Sequence, residues 1–403
     1  MLSSINGFSL SDLTHYGYQS EAQAPTTQTE NPYTKENNEK TYNKTLNNIK
    51  ERYASFNSEA ETGYNAEPGL VGNIRDISKE DIIAIMMHIR DNNTLLEECC
   101  KNSAKSPFFD KFYLMKDPEQ GWNLRLHNFN ARGSGLGGDD SPHYHRWTLA
   151  SKPIHGGYIN IKYDELEITA STKQEHIYNK YKMGGTDVQQ SGSNKREVAC
   201  LGQKAMVPKE YTPYLKDSVN HFSIEQAHSV KTFSEHFGST VTLAHTSSSK
   251  KAESFAFEKN ELQDIPQVRY TSSEEFKIRL EREIAFLQVM QLKDDLLSYL
   301  HNKFDKNPKE LTPAENIHRI DSSEPNYIET SLLSAIAIYC IQKENGIESC
   351  EFSEDTTRFI DAKLAFIKKE YLDKVIEFNQ EDQWAKRFKI DFDLNTELAL
   401  LQR

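Results

Sequence analysis

Between Trp122 and His245 the chain never keeps one pattern longer than a strand, and that constrains its fold more than any other feature. Trp122, Leu124, Leu126 and Asn128 fall on one face of an extended segment, and Asn123, Arg125, His127 and Phe129 on the other. The glycine-rich run Gly133-Ser134-Gly135-Leu136-Gly137-Gly138 ends it. His155-Gly156-Gly157 reads as a turn, and Tyr158 to Tyr163 alternates again. A polar loop from Lys182 to Lys195 leads to a second block: Met206-Val207-Pro208, Tyr211 to Tyr214, Phe222 to Val230, and Ser239 to His245. Short half-buried strands broken by Gly and Pro turns predict a small all-β barrel or jelly roll.

Chemistry concentrates in Asp139-Asp140-Ser141-Pro142-His143-Tyr144-His145-Arg146-Trp147. Pro142 forces Ser141 into extended geometry and suits a strand entry. On a strand His143 and His145 share a face, and two neutral imidazoles there make half of a transition-metal site. Trp147 would wall the same face while Arg146 points away.

The segment from about Lys111 to Thr246, a third of the chain, resembles the cupin superfamily. Its first motif, a glycine, a short loop and H-x-H on a strand, is matched by Gly138 through His145. Its second motif, one further histidine on a later strand, is matched by His228 in Ala227-His228-Ser229-Val230. These surroundings look most like the three-histidine cupins related to cysteine dioxygenase. The resemblance implies an α+β chain carrying a cupin-like β-barrel or jelly roll. It also implies a divalent metal held by His143, His145 and His228, with Fe(II) favoured and Zn, Ni or Mn as alternatives. A dioxygenase acting on a small thiol-bearing or anionic substrate, and a homodimer, follow from the same resemblance.

The chain departs from the family pattern in one respect. The glutamate that many metal cupins carry four or five residues after the second histidine is replaced by Leu149 and Ala150. Three neutral imidazoles would leave the ion's charge uncompensated and positions open for water, an anionic substrate or dioxygen. The thioether-forming cysteine of some thiol dioxygenases has no counterpart at Leu149 or Ala150, and the spacing of Cys200 does not bring it to the metal. Tyr211, Tyr214 and Gln226 are candidate pocket residues. Tyr211 and Gln226 are taken as the catalytic candidates, since Gln226 would share a face with His228. His155, His221, His236 and His245 compete for the third-ligand role, His221 most closely. The competing structural reading makes His143 and His145 polar loop-end residues and His228 a core histidine bonded to a carbonyl, in a barrel that has lost its metal.

The charge balance, 48 Lys and Arg against 60 Asp and Glu for a net charge of -12, argues against bulk affinity for nucleic acid or an anionic membrane. No apolar run approaches membrane-spanning length. The beginning Met1-Leu2-Ser3-Ser4-Ile5-Asn6 has no basic and apolar leader pattern, and the five cysteines form no paired framework. Both point to a reduced, cytoplasmic protein, with secretion by a route that needs no leader left open.

The sequence divides into a largely disordered or extended segment over 1–75, a helix plus barrel over 76–260, and a helical domain over 261–403. Residues from about Gln19 to Glu67 are polar and short of aliphatic side chains, which predicts a disordered or loosely helical lead-in. Ser78 with Asp81 marks a helix start, and Asp91-Asn92-Asn93 a break. Ser272 with Glu275 opens a second helical region, followed by an apolar helix from about Pro325 to Glu344 and a third from near Ser353. Together these predict a small bundle. Bundle and polar lead-in support the alternative function: a non-catalytic scaffold of bacterial type, showing its C-terminal helices to a protein partner. The two functions separate on metal dependence.

Overall fold

The computed structural model describes residues 31–54, 67–105, 109–129, 138–183, 198–232, 240–249, 251, 253–261, 268–270, 272–306, 335–336, 339–340, 342–343, 346 and 352–365. The chain divides into one compact unit spanning Lys35–Leu280 and another that takes Met1–Thr34 with Glu281–Arg403.

In the first unit, helix α1 (Lys35–Ala54) buries Asn38, Tyr42, Thr45, Ile49 and Tyr53. The polar composition suggested a weaker structure. Spacings of four, three, four and four put these few residues on one stripe, and burial along a stripe holds a helix that propensity alone would not. After a short turn at α2 (Gly72–Arg75), α3 (Lys79–Asp91) begins on the expected cap. Ser78 Oγ accepts from the Asp81 amide, and the Asp81 carboxylate accepts from the Ser78 amide at 2.9 Å. The break at Asn92 is also present: its side chain accepts from the Leu95 amide and so caps α4 (Asn93–Asn102).

The strands are β1 (Ala104–Lys105), β2 (Phe109–Lys116), β3 (Asn123–Phe129), β4 (Gly138–His143), β5 (Leu149–His155), β6 (Gly157–Leu166) and β7 (Ile177–Met183). They continue with β8 (Val198–Leu215), β9 (Asn220–Phe222), β10 (Ala227–Thr232), β11 (Thr240–Thr246), β12 (Ser254–Glu258) and β13 (Val268–Arg269). All the described pairings are antiparallel. One sheet runs β13-β1-β2-β3-β11-β5-β9, and a closed ring runs β10-β4-β12-β7-β8-β6. The stretch from Phe222 to Val230, expected as one strand, is two. A turn in which the Gln226 amide reaches the Ser223 carbonyl carries the chain from β9 in the sheet to β10 in the ring.

The two layers pack through Phe129, Leu149, Phe222 and Ala244 of the sheet and Tyr158 and Val230 of the ring. The ring has a second apolar cluster on its other face: Tyr163, Met206, Ala227 and Phe257. The helices cover the opposite side of the sheet, where Leu124, Leu126, Leu243 and His245 are fully buried.

Helix α5 (Ser273–Lys306) starts where expected, with Ser272 Oγ accepting from the Glu275 amide at 3.1 Å. Within the second unit, Tyr299 of α5 stacks on Phe359 of α6 (Glu354–Leu364) at 4.6 Å, and Lys363 pairs with Asp295 at 2.7 Å. Of the helix expected over 325–344, the described residues are helical and Tyr339 donates to Asp361. The rest of that helix, and the later part of the third, lie outside the described residues. No helix among the described residues is long and apolar enough to cross a membrane.

Candidate metal centre

The register brings the three histidines of the two short motifs together. His143 ends β4 and pairs with His228 of β10, so adjacent strands of the ring supply two imidazoles facing the sheet. The third is placed differently from expectation. The strand ends at His143, and His145 lies beyond it, just before a bend at Arg146 and Trp147. One further hydrogen bond, from the Tyr144 amide to the Phe255 carbonyl at 2.9 Å, keeps the backbone extended long enough for His145 to turn back. The ring centroids are 4.9 Å apart for His143 and His145, 4.6 Å for His143 and His228, and 4.9 Å for His145 and His228.

Their ligating nitrogens all lie within 4.8 Å of one another. Around a divalent ion with bonds of about 2.1 Å, such atoms stand roughly 3–3.4 Å apart, so small rotations of the side chains close the set. Two nitrogens are turned away from that point by hydrogen bonds. His143 Nδ1 lies 3.0 Å from the Ser141 carbonyl, and His228 Nδ1 lies 3.0 Å from Asn160 Oδ1. An acceptor at Nδ1 holds the proton there and frees the Nε2 lone pair. His145 Nε2 and His228 Nε2 are already 2.8 Å apart.

Burial holds His145 and His228 well below the ordinary imidazole range, and their neighbouring histidines push the same way. For His145, Arg125 and Lys111 add to the effect. Neutral imidazoles are the ligating form. Among the described residues no carboxylate joins the cluster. Leu149 and Ala150, where a glutamate could have stood, are buried in β5. The donor set therefore fits a divalent transition ion held by nitrogen alone, with coordination positions to spare.

The other sequence candidates fall elsewhere. Tyr211 pairs with Ile161 and so takes the face opposite His228, where it lies near Tyr178 and is 40% exposed. Gln226 precedes β10 and donates to the Tyr163 carbonyl at 2.8 Å and the Ala227 carbonyl at 3.0 Å, which straps the start of that strand to β6. Tyr214 packs against the inter-layer core. Trp147 does wall the cluster, stacking on His145 with centroids 6.1 Å apart. Arg146 is buried with its guanidinium over the Trp147 ring. His221 pairs with Ala150 on β9 and does not join the cluster, His155 is buried in β5, and His236 lies outside the described residues. Cys200 is exposed on β8.

Asn160, which holds Nδ1 of His228, escaped the sequence reading as a site residue. Asn160 belongs to a plain alternating strand, and nothing local ties it to His228.

No protein-family model matches the chain, and no curated protein matches it. Among the solved structures it matches is the crystal structure of a protein of unknown function with a cupin-like fold from Ralstonia eutropha JMP134. The two share 15% identity over 44% of this chain and 74% of that one, with a TM-score of 0.18. A TM-score that low assigns neither fold nor family.

Proposed function

We propose that the protein is a mononuclear metal cupin in which His143, His145 and His228 hold a divalent ion, Fe(II) before Zn, Ni or Mn, and that it is an oxygenase for a small thiol-bearing or anionic substrate. One observation carries this reading: three histidines from two distant motifs converge between the layers, two with Nδ1 engaged and Nε2 turned inward. A bound ion would supply Lewis acidity at open coordination positions. The chain's own residues prepare the place. Asn160 fixes the tautomer of His228, Trp147 shields one side of His145 from water, and Gln226 anchors the strand that carries His228. Tyr211, on the other face of the ring, has no part in this proposal.

The test is elemental analysis of the full chain purified without chelators, native and with His143→Ala and His228→Ala together. Near-stoichiometric metal in the native protein and none in the double variant is expected, followed by oxygen consumption with small thiols. A native chain that retains no metal after anaerobic reconstitution with iron, zinc, nickel or manganese sinks the enzyme. It would leave the scaffold with its C-terminal helices turned to a protein partner.

A further inference from the structure

Tyr144 stands between two of the three histidines, and the alternation of an extended backbone sends its side chain to the opposite face of the ring. There it packs against the apolar cluster of Tyr163, Met206, Ala227 and Phe257, its ring centroid 6.0 Å from that of Phe257. Its hydroxyl donates to Glu165 Oε2 at 3.2 Å. Glu165 Oε1 accepts in turn from Lys180 Nζ at 2.6 Å. The ammonium lies 4.7 Å from the Phe255 ring and 5.6 Å from the Phe257 ring. Carboxylate and ammonium are each 18% exposed, so water and salt screen the pair less than a surface one. Glu165 pairs with Met206 and Lys180 with Phe257, so β6, β7, β8 and β12 all contribute to the seat of Tyr144.

His145 has left its strand, so its place is set by its neighbours. The flanking backbone hydrogen bonds run from the Tyr144 amide to the Phe255 carbonyl at 2.9 Å and from the Lys251 amide to the Arg146 carbonyl at 3.2 Å. Trp147 stacks on the imidazole. Planar peptides leave two soft dihedrals per residue, so a tilt at Tyr144 is passed to the residues on both sides. A ligand set works only when its members are held within about 0.5 Å of productive geometry by neighbours whose own rotamers are locked. Packing alone would be served by a phenylalanine. The hydroxyl adds a bond to an ionised acceptor, about twice as strong as a neutral one, and fixes the side chain in one place.

We propose that Tyr144, seated on the Glu165–Lys180 pair, is a positioning residue that holds His143 and His145 in register with His228 and so sets the affinity of the three for a divalent ion. Tyr144 touches neither the ion nor a substrate; it acts through the backbone it shares with the two histidines. The far face of the ring thereby tunes the near one. This rests on the metal-site reading, and one of its two tests runs without metal so that the two can fail separately.

Zinc affinity is read by competition with a chromophoric chelator on the full chain, native, Tyr144→Phe, Glu165→Gln and the double variant. Tyr144→Phe is expected to weaken zinc binding about tenfold, the low end for losing a group that orients a ligand. Glu165→Gln is expected to weaken it by no more than that. The double variant should be no weaker than Tyr144→Phe, because both changes cut one link. A role in packing alone would lower the unfolding midpoint and leave zinc affinity in place. The second test compares the imidazole nitrogen resonances of the chelator-treated chain, with isotope-labelled histidines, at one pH. In Tyr144→Phe the His145 resonances are expected to move while those of His245, on the helical side of the sheet, stay. Native zinc affinity in Tyr144→Phe, losses that multiply in the double variant, or unmoved His145 resonances overturn the proposal. If Tyr144→Phe fails to fold, Glu165→Gln decides by the same two measurements. A native chain that binds no zinc while its His145 resonances still respond sinks the metal reading alone. Zinc binding that the variants leave intact sinks the positioning role alone.

Discussion

His228 and His245 sit in the middle of neighbouring layers, one in β10 and one in β11, and both are buried and held neutral by burial. Their surroundings differ. His228 has Nδ1 anchored on Asn160 and Nε2 aimed at two other imidazoles. His245 faces the helical side, with the Trp122 ring at 5.6 Å, the Tyr53 ring at 5.9 Å and the Leu70 carbonyl at 3.5 Å from Nδ1. Burial and low proton affinity are common to both. What distinguishes a ligand is the convergence of lone pairs, and what distinguishes a core histidine is aromatic packing.

The largest effect that separates them is on metal content. His228→Ala alone is expected to abolish metal retention, while His245→Leu keeps it; equal losses by elemental analysis would erase the contrast. Next comes stability. Trp122→Ala, beside His245 and fully buried, is expected to lower unfolding free energy by about 3–5 kcal/mol in a denaturant titration, with metal stoichiometry unchanged. Asn160→Leu is expected to reduce metal affinity about 10–100-fold in a competitive chelator assay, because the His228 tautomer is no longer held. An affinity unaltered by that change would remove Asn160 from the site.

The smallest effect is a pH dependence. Burial pushes His245 down to about 3, against about 6.5 for a free imidazole. As pH falls below about 6.5 the unfolded chain takes a proton that the folded one refuses until about 3, so stability drops across that window and levels off below it. His245→Leu is expected to flatten the acid limb of the stability profile by at least about 1 kcal/mol. The other buried histidines push the same way, so the quantity to read is the difference between native and variant. Superimposable profiles would mean that folding leaves the proton affinity of His245 unchanged.

Much of this was readable from local pattern. The alternation around Leu124 and Tyr158, the cap at Ser78, the break at Asn92 and the helix start at Ser272 each depend on residues within four positions, and each is present. The two short histidine motifs point to the same cluster that the register assembles. What local pattern could not supply was partnership across the layers. Asn160 meets His228 only because β6 and β10 are neighbours in the ring. His145 leaves its strand because Arg146 and Trp147 bend the chain, which a period of two cannot foresee. The Phe222–Val230 block looked continuous because a turn of Ser223, Ile224, Glu225 and Gln226 can pass for alternation. In α1 a polar composition hid a stripe of five buried side chains, since the stripe depends on spacing and not on abundance.

The pattern of closure has a consequence for how copies of this chain behave in a crowded solution. The ring returns on itself through β6 and β10, so it offers no open border. The seven-stranded sheet ends on β13, two residues long, and β9, three residues long. Among the described residues, another chain seeking to extend either layer by backbone pairing finds only those short stubs. The architecture thus resists templated polymerisation by geometry, before any charged gatekeeper is needed.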